Sequence, residues 1–246
     1  MMRVRMAVLS AAGLAAVVLA ALMMFGRFPH IHGRPVKVID HGARTVKAVA
    51  LTFDACSAPR NGKSGIDAGV VRYLEKERLP ATLFLGGRWM ERHQGETRRL
   101  ARIKNLELGL HGYGHPDMKR LSDARVAREL DLSQKVFTRL TGRSARLFRP
   151  PYGVHDDRIV RISSSRGLVT VGFDLASGDP DPAFTRGRLV RSVVTGARGG
   201  SIVIMHVNGR GWHTAESLPE IVRKLRAKGY SLVTVGEMVR YIQGGG

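Results

Sequence analysis

The alternation of short, apolar, β-rich runs with longer helical patterns is the feature that most constrains the fold of this chain. Such alternation is typical of βα units that build a parallel sheet. Seven strands with helices between them predict an α/β fold, an irregular and incompletely closed barrel of the (β/α)7 type. The predicted strands are residues 46–53, 81–85, 106–110, 145–148, 168–173, 201–205 and 230–235. The predicted helices are residues 67–78, 89–103, 122–140, 156–166, 186–197 and 214–228, with a last helix from about Gly236.

The N-terminal 26 residues have the composition of a membrane segment. Residues 6–25 are almost wholly apolar and follow Arg3 and Arg5, and about 20 apolar residues span a bilayer as a helix. We expect an uncleaved membrane anchor, with a cleaved signal peptide as the alternative. The folded domain, residues 46–243, is then expected outside the cytoplasm, in the periplasm or at the cell surface, after a linker at residues 27–45; cleavage would make the protein secreted.

The chain is strongly basic, with 40 Lys and Arg against 20 Asp and Glu and a formal net charge of +20. Such a charge favours polyanionic partners, which include nucleic acid, anionic lipids and acidic envelope polymers. The basic residues are mostly Arg spread along the helices, and aromatic residues make up only 6% of the chain. This pattern does not indicate a stacking platform for single strands, so we expect no nucleic-acid partner.

Ionisable side chains stand at the carboxyl ends of five predicted strands. In barrels of βα units the catalytic residues lie at these ends, because the loops there vary while the strands fix the geometry. Five such residues would be a costly arrangement for a purely structural core. They are Asp54, His111, Arg149, Asp174 and His206.

His111 and His115 are four residues apart, on a glycine-containing turn directly after the predicted strand 106–110. Neutral imidazole nitrogens bind zinc at about 2.0–2.1 Å, and two such ligands need one more protein ligand to make an open catalytic site. Two histidines in a loop are more often exposed to solvent than bound to metal. Their position among the other strand ends is what predicts a metal site.

Five motifs in chain order resemble those of carbohydrate esterase family 4, the polysaccharide deacetylases with a NodB homology domain. The resemblance runs from about Lys47 to Val239, and its most specific part is the string Phe148-Arg149-Pro150-Pro151-Tyr152-Gly153. The other motifs are Thr52-Phe53-Asp54, the segment from His111 to His115, the segment from Asp174 to Asp179, and Ile204-Met205-His206.

The resemblance implies a metal-dependent hydrolase that removes acetyl groups from N-acetylated aminosugars of an envelope or extracellular polysaccharide such as peptidoglycan. His111 and His115 would hold a divalent metal, most simply Zn²⁺, which polarises the acetyl carbonyl and lowers the pKa of a bound water. Asp54 would act as the general base. Arg149, whose guanidinium keeps its proton, would orient Asp54 and keep it ionised.

The resemblance also implies an acid and a substrate pocket. His206 would protonate the departing amine, and Asp179, or failing it Asp174, would hold the His206 ring and raise its pKa. A backbone N–H near Tyr152 would help to hold the oxyanion of the tetrahedral intermediate. The expected apolar walls for the acetyl methyl and the sugar are Ile204 and Trp212.

Ala55 departs from the family pattern, because the first motif usually carries a second Asp there as the third metal ligand. Three replacements are open. Asp67 would reach the site if its loop folds back over the strand end, although it is equally suited to cap the following helix. Cys56, the only cysteine, would serve as a thiolate, although a buried free thiol is the commoner role. Asp54 itself would become a ligand and leave the base unassigned.

The Ala55 departure also raises an alternative function. A deacetylase-like domain that had lost its metal would bind glycan or act as a scaffold in the cell envelope. A binding protein has no use for a base, its orienting cation and an acid together. The presence of Asp54, Arg149 and His206 therefore favours an enzyme.

Overall fold

A parallel sheet forms the centre of the domain. The computed structural model describes residues 38–56 and 65–243, with the backbone alone for 241–243; the predicted membrane segment and residues 27–37 of the predicted linker lie outside this part. The strands within it are β1 (Ala48–Ala55), β2 (Ala81–Leu85), β3 (Leu106–Leu110), β4 (Leu147–Phe148), β5 (Val169–Thr170), β6 (Leu175–Ala176), β7 (Ser201–His206) and β8 (Ser231–Val233).

The sheet is an open half-barrel. Seven strands follow one path in the order β5-β4-β3-β2-β1-β7-β6, and β8 pairs with the first residues of β1. All the pairings of these strands are parallel. In the described part of the chain β5 and β6 do not pair with each other, so the barrel does not close. The predicted α/β fold with an incompletely closed barrel is confirmed.

Helices connect the strands and cover the outside of the sheet. Asp67 caps the first of them, because its side chain accepts hydrogen bonds from the backbone N–H groups of Gly69 and Val70. Gly142 ends the longest helix in the left-handed conformation, with φ 72°. The helices are α1 (Ala68–Lys76), α2 (Gly87–Arg92), α3 (Gln94–Leu100), α4 (Asp123–Thr141), α5 (Asp157–Ser164), α6 (Arg186–Gly196), α7 (Thr214–Ala227) and α8 (Val235–Gln243).

Three predicted strands, at 145–148, 168–173 and 230–235, are shorter in the structure, and three further differences concern whole elements. The predicted helix 89–103 is split into α2 and α3, because His93 leaves the helical conformation with φ −122° and ψ 48°. The two-residue strand β6 was not predicted, since two residues leave no periodic pattern. Residues 38–45, the end of the predicted linker, belong to the domain: Ile39 forms a bridge to Val171, and His41 forms one to Ser201.

The two faces of β1 divide the core. Every residue of β1 is buried, as expected for a strand covered on both faces. Leu51 and Phe53 belong to the larger apolar cluster, whereas Ala50 belongs to a smaller one. Because side chains alternate along a strand, Thr52 and Asp54 lie on the same face as Ala50.

The helices of the described part do not include a membrane span. None of them has both the length and the apolar character needed to cross a bilayer. The apolar segment 6–25, on which the anchor prediction depends, lies outside the described residues.

Candidate active site

A cavity of about 220 Å³ lies at the carboxyl end of the half-barrel. Side chains from the ends of β1, β3 and β7 meet there with the loops that follow β4 and β6. The volume is below the roughly 300–1,000 Å³ typical of pockets that enclose a drug-sized ligand, so the cavity has the size for one substituent of a larger molecule. Its lining residues are Asp54, His111, His115, Tyr152, Gly153, Phe173, Ala176, Ser177, Gly178, Asp179, Pro180, Ile204, His206 and Arg210.

Asp54 and Arg149 form a buried ion pair at the base of this cavity. Arg149 Nη1 donates to Asp54 Oδ1 at 2.9 Å, and the Arg149 side chain is 0% exposed. The same guanidinium donates to Thr52 Oγ1 at 2.8 Å and to the Gly172 carbonyl at 3.0 Å. Three acceptors, two on β1 and one in the segment after β5, thus fix the orientation of Arg149, which in turn fixes the carboxylate.

The charges around Asp54 keep it ionised. Burial acts to raise the pKa of this carboxyl, but the neighbouring charges of His111, Arg149 and His206 outweigh it, and the pKa lies below its usual value of 3.8. At neutral pH the charge of Arg149 still lowers the pKa of Asp54, because a guanidinium does not lose its proton. Asp54 is therefore a carboxylate that can accept a proton.

His111 and His115 are brought together, with ring centroids 4.8 Å apart. The His111 Nδ1 lies 2.9 Å from the Arg149 carbonyl, so Nδ1 carries the proton and the lone pair of Nε2 points away. That Nε2 lies 3.4 Å from Asp54 Oδ2. Burial lowers the pKa of His111 to about 4, and burial followed by the charge of Arg210 lowers the pKa of His115 to about 4. Both imidazoles are uncharged at neutral pH.

The turn that carries the histidine pair is held by α4. Glu129 accepts from the backbone N–H groups of Tyr113 at 2.9 Å and Gly114 at 2.7 Å. Ser133, one turn further along the helix, donates to the Gly112 carbonyl at 3.1 Å. The sequence does not reveal this role of Glu129, because an acid on a helix more than a dozen residues away is normally a solvated surface charge.

His206 and Asp179 form a second buried pair. The His206 Nδ1 lies 2.9 Å from Asp179 Oδ1, while Asp179 Oδ2 accepts from the His206 backbone N–H and, at 2.8 Å, from Thr214 Oγ1. Burial acts to lower the pKa of His206, but the hydrogen bond and charge of Asp179 outweigh it and raise the pKa above 6.5. Asp174, the alternative partner in the sequence prediction, lies elsewhere and accepts from the Ile202 backbone N–H at 2.7 Å.

Tyr152 and Ile204 line the same cavity. Tyr152 is 60% exposed, and its ring meets the His115 ring edge-on at 4.6 Å between centroids. Its backbone is left-handed with φ 61°, an uncommon conformation for a residue with a side chain. Tyr152 thus stands at the mouth of the cavity, where a bound ligand would meet it.

Asp67 and Trp212 are not brought to the histidine pair. They line a different cavity, of about 610 Å³, together with residues of α1 and α7. The Asp67 carboxylate is used as a helix cap, with Oδ1 2.8 Å from the Gly69 nitrogen. Of the two interpretations of Asp67, the structure shows the helix cap and not the third metal ligand. Trp212 likewise lies outside the smaller cavity, although its backbone N–H donates to the Asp179 carbonyl at 2.7 Å.

The two histidines fit a divalent metal as nitrogen ligands. Their rings are uncharged, and the buried Nδ1 of His115 has no hydrogen-bond partner among the described residues. Asp54 Oδ2 is the carboxylate oxygen beside them. Within residues 38–56 and 65–243, however, no cluster of three or more His, Cys, Asp or Glu side chains is placed to hold a metal ion. Among the described residues the site thus offers the two histidines, and Ala55 provides no third ligand.

Arg210 is a residue of the cavity that the sequence prediction missed. It follows β7 by four positions and is half-buried. Its Nη1 lies 3.7 Å from the buried Sγ of Cys56. An arginine in a glycine-rich loop of a chain with 40 basic residues carries no signal that separates it from the others.

Comparison with sequences of known proteins points to one family. The model of the polysaccharide deacetylase family matches residues 41–171, just over half of the chain. The peptidoglycan-N-acetylglucosamine deacetylase PgdA of Listeria monocytogenes is 29% identical over 196 residues, 80% of this chain and 40% of that protein. The uncharacterized protein YlxY of Bacillus subtilis is 29% identical over 169 residues, 68% of this chain and 50% of that protein. The chain thus spans half or less of the length of these two relatives.

Solved structures give the same picture for the fold. A carbohydrate esterase family 4 pseudoenzyme from Bacillus anthracis matches with a TM-score of 0.75 and 26% identity, over 85% of this chain and 72% of that chain. A mutant of that protein with restored enzymatic activity matches with a TM-score of 0.75 and 27% identity, over 85% and 74%. PdaA of Bacillus subtilis, a family 4 carbohydrate esterase, has a TM-score of 0.73 at 22% identity, over 82% and 84%, and shares the fold.

Proposed function

Because this chain belongs to the polysaccharide deacetylase family, we propose that it hydrolyses acetyl groups from N-acetylated aminosugars of a cell-envelope or extracellular polysaccharide. One observation carries the proposal. A carboxylate held by a buried arginine and an imidazole held by a buried carboxylate face one cavity, as Asp54 with Arg149 and His206 with Asp179. The pKa of the carboxylate is lowered and the pKa of the imidazole is raised, and hydrolysis by a base and an acid requires such a pair.

Asp54 is the proposed base. Its pKa below 3.8 keeps it ionised at neutral pH, and one oxygen is held by Arg149 while Oδ2 faces His111. The carboxylate accepts a proton from the water that attacks the acetyl carbon. General-base catalysis of this kind contributes a factor of about 10²–10⁴ in rate.

His206 is the proposed acid. Asp179 holds Nδ1 and leaves Nε2 to donate its proton to the departing sugar nitrogen, which must leave as an amine. Since the pKa of His206 lies above 6.5, a substantial fraction of the imidazole is protonated near neutral pH. The same contact fixes the ring plane, because Asp179 also binds the His206 backbone and Thr214.

The rest of the cavity is proposed to bind the acetyl group. The backbone N–H of Tyr152 is assigned to the oxyanion, and Ile204 to the methyl group, as both residues line the cavity. A divalent metal such as zinc, held by His111 and His115, would polarise the acetyl carbonyl. Trp212, which lines the neighbouring cavity, is retained only as a contact for a more distant sugar.

For the location of the protein, we infer a membrane anchor from residues 6–25 and place the domain outside the cytoplasm. The support is the apolar sequence of that segment and the peptidoglycan substrate for which the Listeria relative is named. Fractionation of cells that produce the full chain, followed by protease treatment of intact spheroplasts, tests both points. A protein found in the soluble cytoplasm would contradict them.

Acetate release by the full chain from peptidoglycan fragments and from N-acetylglucosamine oligomers tests the function. We expect Asp54→Asn to lower kcat by at least about 10²-fold. Asp131→Asn is the matched control, because Asp131 is an exposed acid paired with Arg166 at the surface, and it is expected to keep full activity. Absence of acetate release from any substrate, with glycan binding retained, would instead identify a glycan-binding protein.

A further inference from the structure

Arg210 is a cation of the cavity that forms no ion pair with the described residues. Its side chain makes one contact within the described residues, the long one between Nη1 and Cys56 Sγ at 3.7 Å. Its Nε is buried and has no hydrogen-bond partner among those residues. The guanidinium nevertheless lines the cavity beside Asp54, His115 and His206.

The acidic side chains of this chain do not neutralise Arg210. All 20 Asp and Glu residues lie within residues 38–56 and 65–243, and the ion pairs found in that part do not include Arg210. The two acids of the cavity are committed elsewhere, Asp54 to Arg149 and Asp179 to His206. The sequence of residues 57–64 contains no acid either.

A half-buried guanidinium with open donors is costly unless a ligand pairs with it. Guanidinium groups match carboxylates well, because two parallel N–H donors meet two oxygens. The neutral acetyl group does not require this charge, and the proposed base and acid do not use it. The Arg210 guanidinium is thus available to bind a part of the substrate that lies beside the acetyl group.

We propose that Arg210 binds a carboxylate of the substrate, so that the preferred sugar is an N-acetylated aminosugar that itself carries a carboxylate. This inference rests on the proposed function, since it assigns the substrate of the same cavity. Arg210 is then a specificity-determining residue. Its contribution appears as a preference between charged and uncharged forms of one sugar.

The test compares two substrates that differ only in charge. One is an N-acetylated aminosugar oligomer with a carboxylate substituent, and the other is the same oligomer with that group converted to a carboxamide. For the full chain we expect a kcat/KM for acetate release at least about 10-fold higher on the carboxylate form, since hydrogen bonds to charged groups are the strong ones. In Arg210→Gln this preference is expected to disappear, so that kcat/KM becomes equal on the two forms. Arg210→Lys is expected to keep part of it.

Arg161→Gln is the matched control. Arg161 is exposed on α5, and its removal lowers the net charge as much as the Arg210 change does, so it is expected to keep the preference. The inference is overturned if the full chain does not distinguish the two forms, or if Arg210→Gln lowers kcat/KM equally on both. Tighter binding of a phosphorylated form than of the carboxylate form also overturns it.

Calorimetry separates this inference from the proposed function. The full chain is titrated with both oligomers under conditions in which acetate release is measured in parallel. If the carboxylate oligomer binds in a way that depends on Arg210 but no acetate is released, the deacetylase proposal is contradicted and the carboxylate site is supported. If acetate is released and substitution of Arg210 does not change its rate on either oligomer, the deacetylase proposal is supported and the carboxylate site is contradicted.

Discussion

At the scale of single residues, Arg149 is the most constrained side chain of the site. Its guanidinium is 0% exposed and is shared among Asp54, Thr52 and the Gly172 carbonyl, with the Phe84 ring 4.1 Å from its central carbon. Desolvation of the two charges costs much of what their attraction provides. The pair is thus better understood as a device that orients Asp54 than as a source of stability.

Removal of one member of this pair leaves the other charge buried and alone. We expect Arg149→Met to lower the free energy of unfolding by about 3–5 kcal/mol and to abolish acetate release. Denaturant unfolding followed by circular dichroism measures the first effect. Arg161→Met at the surface is the control, with an expected change within about 0.5 kcal/mol. A loss below about 1 kcal/mol for Arg149→Met would contradict the buried-pair interpretation.

His206 sets the alkaline limit of the proposed reaction. Its pKa is raised in the folded chain, so the protonated form persists above pH 6.5 and activity falls only as the pH rises through the raised value. In Asp179→Asn the opposing effect of burial remains, so the alkaline limb of kcat/KM is expected to move to lower pH. Rate measurements between pH 5 and pH 9 decide this. An unshifted limb would mean that another group supplies the proton.

The same linkage predicts the pH dependence of stability. A histidine with a raised folded pKa contributes stability that is fully present below its unfolded pKa of about 6.5 and is lost as the pH rises through the folded value. The destabilisation caused by Asp179→Asn is therefore expected to be larger at pH 6 than at pH 9. Thermal unfolding at the two pH values, with Asp131→Asn as the control, measures the difference.

At the scale of elements, the turn with His111 and His115 depends on α4. Gly112 has φ 71° and His115 has φ 62°, so two of its residues are left-handed and the turn needs outside support. Glu129 and Ser133 provide it through backbone contacts. The geometry of the histidine pair is therefore set from outside the motif.

Loss of the Glu129 carboxylate is expected to loosen this turn. Glu129→Ala removes the acceptor of two backbone N–H groups, and hydrogen bonds to charged groups contribute about 1.5–3 kcal/mol. We expect faster hydrogen exchange at Tyr113 and Gly114 and a lower kcat/KM. Asp131→Ala on the same helix, exposed to solvent, is the control. Unchanged hydrogen exchange at the two amides would show that the turn keeps its conformation without Glu129.

The elements that could be predicted are those with long apolar patterns. β2 and β3 have the predicted bounds, and β1 and β7 differ by one or two residues at their ends. The two-residue strands carry too little pattern, and the break at His93 lies beside a single glycine, Gly95, which does not by itself end a predicted helix. Within the site, the residues at strand ends could be predicted to lie close together, because the sheet aligns the ends of its strands. Asp67, Glu129 and Arg210 depend on how loops and helices approach from outside, which periodicity does not encode.

At the scale of the whole molecule, the net charge of +20 favours an anionic polymer as the substrate. Salt screens charges beyond about 10 Å at 0.1 M ionic strength. We expect KM for an acidic polysaccharide to rise several-fold between 0.05 and 0.5 M salt, while KM for a neutral oligomer stays nearly constant. Kinetics at a series of salt concentrations measure this. Equal salt dependence for the two substrates would show that the net charge does not act on substrate binding.

The register of β1 against β7 sets Asp54 directly beside His206. Neighbouring strands lie about 4.7–4.9 Å apart, a spacing that the backbone ladder enforces. The backbone interval between the residues of the proposed proton acceptor and proton donor is thus a property of the sheet, while Arg149 and Asp179 orient the two side chains. A change in the loop with Arg210 would therefore leave this backbone interval as it is.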